Sequence, residues 1–353
     1  MNRWFARGVI LVSMAGPLSG MALADEGSVD QAREALAKQE GDKDASRQLE
    51  EVFQAAEKNY SLQKKGSHYL LYSFDYTYTA DQRLDLAITN GSVRNLDIVP
   101  SATHYFTNAF SYDFGLLDNL TVGTRIPLVV KYDTQDELSV YDFGDISFTG
   151  RWQPFAYVPG KMSTTLFGTL TSKTGVSPYE IDINEQLSTG SGYYSVGGGA
   201  SLSKVLDPVV IFGSVSATYN LPVKGLQQVR GARLLTEVDP GFGLSGSAGF
   251  AYSLSYDISL SISAQLSYTD ETLLSFSNGD QAVAQDQMTG FLSLSLGTRV
   301  SDTTIVNTSL GIGLTEDAPD FSLGVSLVWC PGPACAEPDH SSQGPGARER
   351  GNR

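Results

Sequence analysis

The sequence predicts an all-β fold, a twelve-stranded antiparallel transmembrane β-barrel preceded by an amino-terminal helical segment. Three observations predict it. Segments of strict period-two alternation recur along the chain. Beyond residue 24 no run of eighteen apolar residues offers a membrane helix. Connections between the alternating segments are short and long by turns, the asymmetry of outer-membrane barrels. Lipid cannot satisfy an open strand edge, so a membrane chain without helical spans has to close its sheet.

Residues 1–24 read as a secretory signal. Arg3 and Arg7 precede the apolar run Val9-Ile10-Leu11-Val12, and Ala22-Leu23-Ala24 forms an A-x-A cleavage pattern before Asp25. Pro17 and Gly20 interrupt the stretch, which argues against a spanning helix. Removing it takes away two positive charges and no acid, so the formal net charge falls from −15 to −17. A chain of that sign cannot neutralise a phosphate backbone, which excludes nucleic acid as a partner.

Residues 25–66 have a different composition, rich in Ala, Glu, Gln and Lys. A first helix is expected over 29–40, broken by Gly41-Asp42, and a second over 45–60. Leu49, Val52, Phe53, Ala56 and Tyr60 fall on one stripe of that second helix. The heptad register slips at Gly41, which weakens a coiled-coil reading. Such a stripe has to be buried, by plugging the barrel mouth, by pairing with copies of itself or by lying on the membrane. The alternative is a periplasmic linker of marginal helicity. Lys64-Lys65-Gly66 then turns the chain into the first strand.

Residues 67–329 carry the barrel. The clearest strand is 258–269, where Ile258, Leu260, Ile262, Ala264, Leu266 and Tyr268 oppose Ser259, Ser261, Ser263, Gln265, Ser267 and Thr269. Leu292, Leu294 and Leu296, and later Phe321, Leu323, Val325, Leu327 and Trp329, repeat the pattern. The polar face is Ser, Thr and Gly rather than charge, as a watery lumen needs, whereas a soluble sandwich carries charges outside. Twelve strands are expected near 68–79, 100–115, 120–133, 140–155, 161–173, 192–205, 209–221, 238–255, 258–270, 287–300, 303–315 and 320–329. By strand phase Asp75, Asp113, Arg125, Asp145, Arg151 and Arg299 point into the lumen. There they either attract a plug or pair across neighbouring strands. The Pro/Gly-rich tail 330–353 reads as a disordered extension. Its Cys330 and Cys335 could pair locally and are too few for a zinc site.

Nothing in the chain points to catalysis, a cofactor or a metal. Of the three histidines, His340 lies in the tail and His68 opens strand one. His104 has no neighbouring nucleophile motif and reads as a girdle or lumen residue.

The run Leu49-Glu50-Glu51-Val52-Phe53-Gln54-Ala55-Ala56-Glu57-Lys58-Asn59-Tyr60 stands just before Tyr72-Ser73-Phe74-Asp75-Tyr76. With the blocks Tyr112-Asp113-Phe114-Gly115-Leu116-Leu117-Asp118-Asn119-Leu120, Lys131-Tyr132-Asp133-Thr134-Gln135 and Gly144-Asp145-Ile146-Ser147, it resembles the functional-amyloid (Fap) outer-membrane exporters of FapF type. More broadly the chain is similar to barrels of the phenol-degradation MetA-pathway-like family. The resemblance implies a homotrimer of barrels in the outer membrane, each with a helical plug in its lumen and a periplasmic coiled coil before it. The implied function is export of unfolded amyloid subunits to build biofilm fibres. The alternative is a passive channel for uptake of small solutes, aromatic compounds among them.

Overall fold

A strand that faces water on one side and lipid on the other has to alternate, and the structure obeys that rule around a complete ring. The computed structural model describes residues 62–329, apart from 90–91, 135–136, 157, 159–160, 183–184, 207, 231–232, 256 and 302–303, and only the backbone of 81–101. The expected signal, the helical stripe Leu49, Val52, Phe53, Ala56 and Tyr60, and the tail with Cys330 and Cys335 lie outside the described residues.

Seventeen strands are described: β1 (His68–Thr89), β2 (Ser92–Leu117), β3 (Leu120–Asp133), β4 (Ser139–Phe143), β5 (Ser147–Trp152), β6 (Ser163–Thr171), β7 (Ser195–Leu206), β8 (Val209–Asn220), β9 (Val223–Arg230), β10 (Arg233–Asp239), β11 (Gly243–Ser255), β12 (Ile258–Thr269), β13 (Thr272–Phe276), β14 (Gln281–Ala284), β15 (Gln287–Ser301), β16 (Thr304–Gly313) and β17 (Phe321–Trp329). The ring runs β1–β2–β3–β5–β6–β7–β8–β11–β12–β15–β16–β17 and closes where β17 pairs with β1, Tyr72 opposite Leu327. β4 lies in line with β5 against β3. The barrel therefore has the twelve antiparallel strands that the sequence predicts.

Sequence and structure differ mainly in the connections and in one strand of the wall. The expected loop 80–99 is a continuation of the β1–β2 hairpin. The expected strand 140–155 breaks at Gly144-Asp145-Ile146, between the pairs Leu128–Phe143 and Arg125–Ser147. The expected loops 222–237 and 271–286 contain β9, β10, β13 and β14, which form a separate four-stranded sheet in the order β14–β13–β10–β9. Leu226, Leu235 and Val238 give that sheet a small buried core of its own.

Outward faces carry a belt of exposed apolar side chains, among them Phe250, Leu254, Leu266, Leu294, Leu323 and Leu327. Aromatic residues mark its two edges. At the end that holds the start of β1 and the finish of β17, the terminal end, stand Tyr112, Trp152 and Trp329, and the His68 Nδ1 lies 2.6 Å from the Tyr112 hydroxyl. Toward the loop end, Tyr76, Tyr78 and Tyr132 surround His104, with Phe321 packed on Tyr76 and Tyr78, and the His104 Nδ1 lies 2.8 Å from the Tyr76 hydroxyl. His104 is thus a girdle residue. His68 and Tyr76 are separated along one strand by roughly 26 Å at the usual rise. Tilted by about 40° as barrel strands are, that spacing spans roughly 20 Å along the barrel axis, somewhat less than the apolar band of about 25 Å typical of outer-membrane barrels.

The inward face is held rigid by rings lying over glycines. Phe167 covers Gly199, Phe212 covers Gly249 and Phe291 covers Gly311, where a Cβ would come within 2.6, 2.6 and 2.0 Å of the ring carbons. The flat ring takes the place of the missing side chain and pins the register of adjacent strands.

Candidate functional site, a polar lumen

The lumen wall is built from the polar half of the alternation. Ser259 and Ser261 on β12 are buried on its inner side. Serine hydroxyls bond one another across β8 and β11, Ser214 to Ser247 at 2.7 Å and Ser216 to Ser245 at 2.6 Å. A recess of about 260 Å³ opens in the wall between β12 and β1, lined by Asp75, Ser263, Ser295, Asn307, Ser309 and Ser326 among others. Hydroxyls and amides of this kind exchange hydrogen bonds with water or with a passing solute at little net cost.

The predicted lumen charges fare differently from one another. Asp75 faces the recess and reaches over β17, where a Cβ on Gly324 would lie 2.8 Å from its Oδ1. Asp113 and Arg151 meet: Arg151 Nη2 donates to both carboxylate oxygens at 3.1 Å. Both side chains are nearly sealed from solvent, at 4% and 3% exposure. The pair spans the intervening β3 at Gly123, where a Cβ would sit 1.8 Å from Asp113 Oδ1. Arg125 shares the inward face, directly opposite buried Ser111. Arg299 does too, opposite Ile305, itself opposite Val328 and so in line with inward Leu71.

Asp145 stands in the break between β4 and β5 rather than on a barrel strand. Its carboxylate accepts from the Gly175 N–H at 3.0 Å and from the Ser191 N–H and hydroxyl at 2.6 Å, so it organises the β6–β7 connection.

Two features close in on the lumen. At the terminal end Gly66, with φ of +80°, reverses the chain before β1. The Gly66 N–H donates to the Gly115 carbonyl at 2.7 Å and the Gly115 N–H to the Ser67 carbonyl at 3.1 Å. The Gln63 N–H donates to Thr121 Oγ1 at 2.8 Å, on the lumen side of β3. A Cβ on inward-facing Gly115 would lie 2.0 Å from the Lys64 carbonyl oxygen. The backbone at 63–64 therefore passes inside the barrel wall. Nearby inward positions are apolar and buried, including Leu71, Val210, Phe212, Ala251 and Val328. At the loop end the β6–β7 connection lies against inward Pro127 and Val129, through Gly144 and the Thr189 carbonyl.

Sequence reasoning missed Thr121, Gly115, Gly123 and Lys131. Lys131 faces inward with its ammonium 5.1 Å from the Tyr105 ring centroid. Strand phase alone would have placed Lys131 there. The glycines carry no such signal, because their role is to leave room for a neighbour.

No family model matches the chain. Among solved structures, a COG4313 outer-membrane channel from Pseudomonas putida F1 superposes with a TM-score of 0.58 at 15% identity, covering 77% of this chain and 98% of that one. The translocator domain of the autotransporter NalP from Neisseria meningitidis gives 0.45 at 11% identity, over 88% and 99%. The first likeness carries the fold: this chain shares the β-barrel architecture of that outer-membrane protein.

Proposed function

We propose that the chain is a pore of the bacterial outer membrane, stoppered from its terminal end by the segment before β1, and that it exports unfolded amyloid subunits for biofilm fibres. The observation that carries the stopper is the inward passage of 63–64, fixed by Gly115 and Thr121. Leu49, Val52, Phe53, Ala56 and Tyr60, which the sequence places on one stripe of an expected helix, lie a few residues upstream in the chain. The buried inward patch of Leu71, Val210, Ala251 and Val328 supplies an apolar seat for them. The serine-lined wall suits an unfolded polypeptide, whose amides need weak, exchangeable partners along the whole path.

The exposed apolar belt between two aromatic edges is the surface that lipid requires, and an amino-terminal signal provides the route to the outer membrane. Assembly as a homotrimer through 25–66 belongs to the same proposal, and cross-linking of intact cells tests it. The export reading is tested by surface amyloid on cells deleted for the gene, against a complemented strain. Loss of fibres with subunits held in the periplasm supports export, and unchanged fibres refute it.

A second reading, a passive channel for small solutes, is favoured by the recess of about 260 Å³, a size that fits a small molecule. Its hydroxyl and amide lining fits polar solutes better than aromatic hydrocarbons, which would leave those groups without partners. Liposome swelling with sugars against aromatic compounds separates the two.

A further inference from the structure

The loop end of the barrel holds an obstruction that a stopper at the terminal end does not explain. The β6–β7 connection leaves the ring as two arms, 172–179 and 189–194, that fold back together. Gly175 and Gly190 touch backbone to backbone, since a Cβ on Gly175 would lie 2.6 Å from the Gly190 Cα. Asp145 ties both arms to the wall through Gly175 and Ser191. Thr189 adds a second tie, its hydroxyl donating to the Phe143 carbonyl at 2.7 Å while accepting from the Val176 N–H at 2.9 Å. The Thr189 carbonyl faces the Gly144 position, beside the lumen-facing Pro127 and Val129. Val129 is only 1% exposed, so the inner wall at this level is covered.

The outer part of the same connection is clamped from above. Tyr179 packs on the Leu226, Leu235 and Val238 core of the four-stranded sheet, and an Arg230 guanidinium nitrogen donates to the Pro178 carbonyl. A mobile surface loop needs neither anchor. Held at both levels, the arms have a fixed position across the inner wall.

We propose that arms 175–179 and 189–193 are the constriction that sets the bore of the pore, admitting extended chains and small polar solutes while rejecting folded domains. The inference rests on the pore reading above. Because the tie to the wall and the clamp from the sheet are separate, loosening either should widen the bore.

The full chain is reconstituted in liposomes, and swelling is measured with polyethylene glycols of graded size. Parent and Gly115→Val proteins are compared, the latter to displace the terminal stopper, each with and without Asp145→Ala or Arg230→Ala. Arg230 is remote from the ring, and every variant is checked for the folded barrel by heat-modifiable gel migration. In the Gly115→Val background, each loosening substitution is expected to shift the exclusion limit to larger polymers than that background alone admits. An unchanged limit in both folded variants overturns the constriction. No swelling with any solute in the folded Gly115→Val protein instead overturns the pore reading itself.

Discussion

At the scale of the residue, the Asp113–Arg151 pair is the feature with the sharpest consequence. Two charges held at 3.1 Å with almost no solvent stabilise each other strongly. Asp113→Ala leaves a buried guanidinium without its counter-charge and is expected to destabilise the barrel by about 3–5 kcal/mol, read as a lower urea midpoint. Replacing both partners with apolar residues of similar size is expected to recover most of that loss. Gly123→Ala is expected to act like Asp113→Ala without touching either charge, since its Cβ would occupy the place of Asp113 Oδ1. Strand phase put Asp113 and Arg151 on the inner face from sequence alone. Their pairing was not legible, because they sit on β2 and β5 and meet only across a position where β3 has no side chain.

At the scale of the element, alternation did most of the work. Strands such as β12 and β17 read directly from the sequence because every second residue meets lipid, and lipid tolerates few alternatives. β9, β10, β13 and β14 read as loop in the sequence. They lie outside the belt, where water can satisfy either face, and the two short hairpins β9–β10 and β13–β14 become one sheet only through the β10–β13 pairing between two different connections. That Asp145 stands in a break rather than on a strand is not legible for a related reason. A period-two count cannot see a three-residue break.

The β6–β7 connection also has a pH response. Burial raises the phenols of Tyr179 and Tyr193 above the ordinary value of 10.0, with the Asp145 carboxylate adding to the shift at Tyr193. A folded-state pKa above the unfolded one means that the folded form binds more protons above pH 10. The contribution is therefore intact below that pH and is lost as pH rises through the raised values. Tyrosine absorbance during alkaline titration should show these phenols ionising late, together with a widening of the polymer exclusion limit. Ionisation at the ordinary value would contradict the packed arrangement.

At the scale of the whole molecule, closure of twelve strands follows from the sequence, but what fills the ring does not. An inward segment is an ordinary stretch of chain whose address is set by contacts with residues far along the sequence, such as Gln63 with Thr121. The Fap-type resemblance raised the idea of a plug, and the turn at Gly66 directs the chain to where one would begin. The most direct measurement is single-channel conductance in planar bilayers, full chain beside Gly115→Val. A stoppered pore predicts rare, brief openings in the parent and long open times in the variant, where the valine side chain takes the space of the Lys64 carbonyl. Equal conductance and open time in both folded proteins would contradict it.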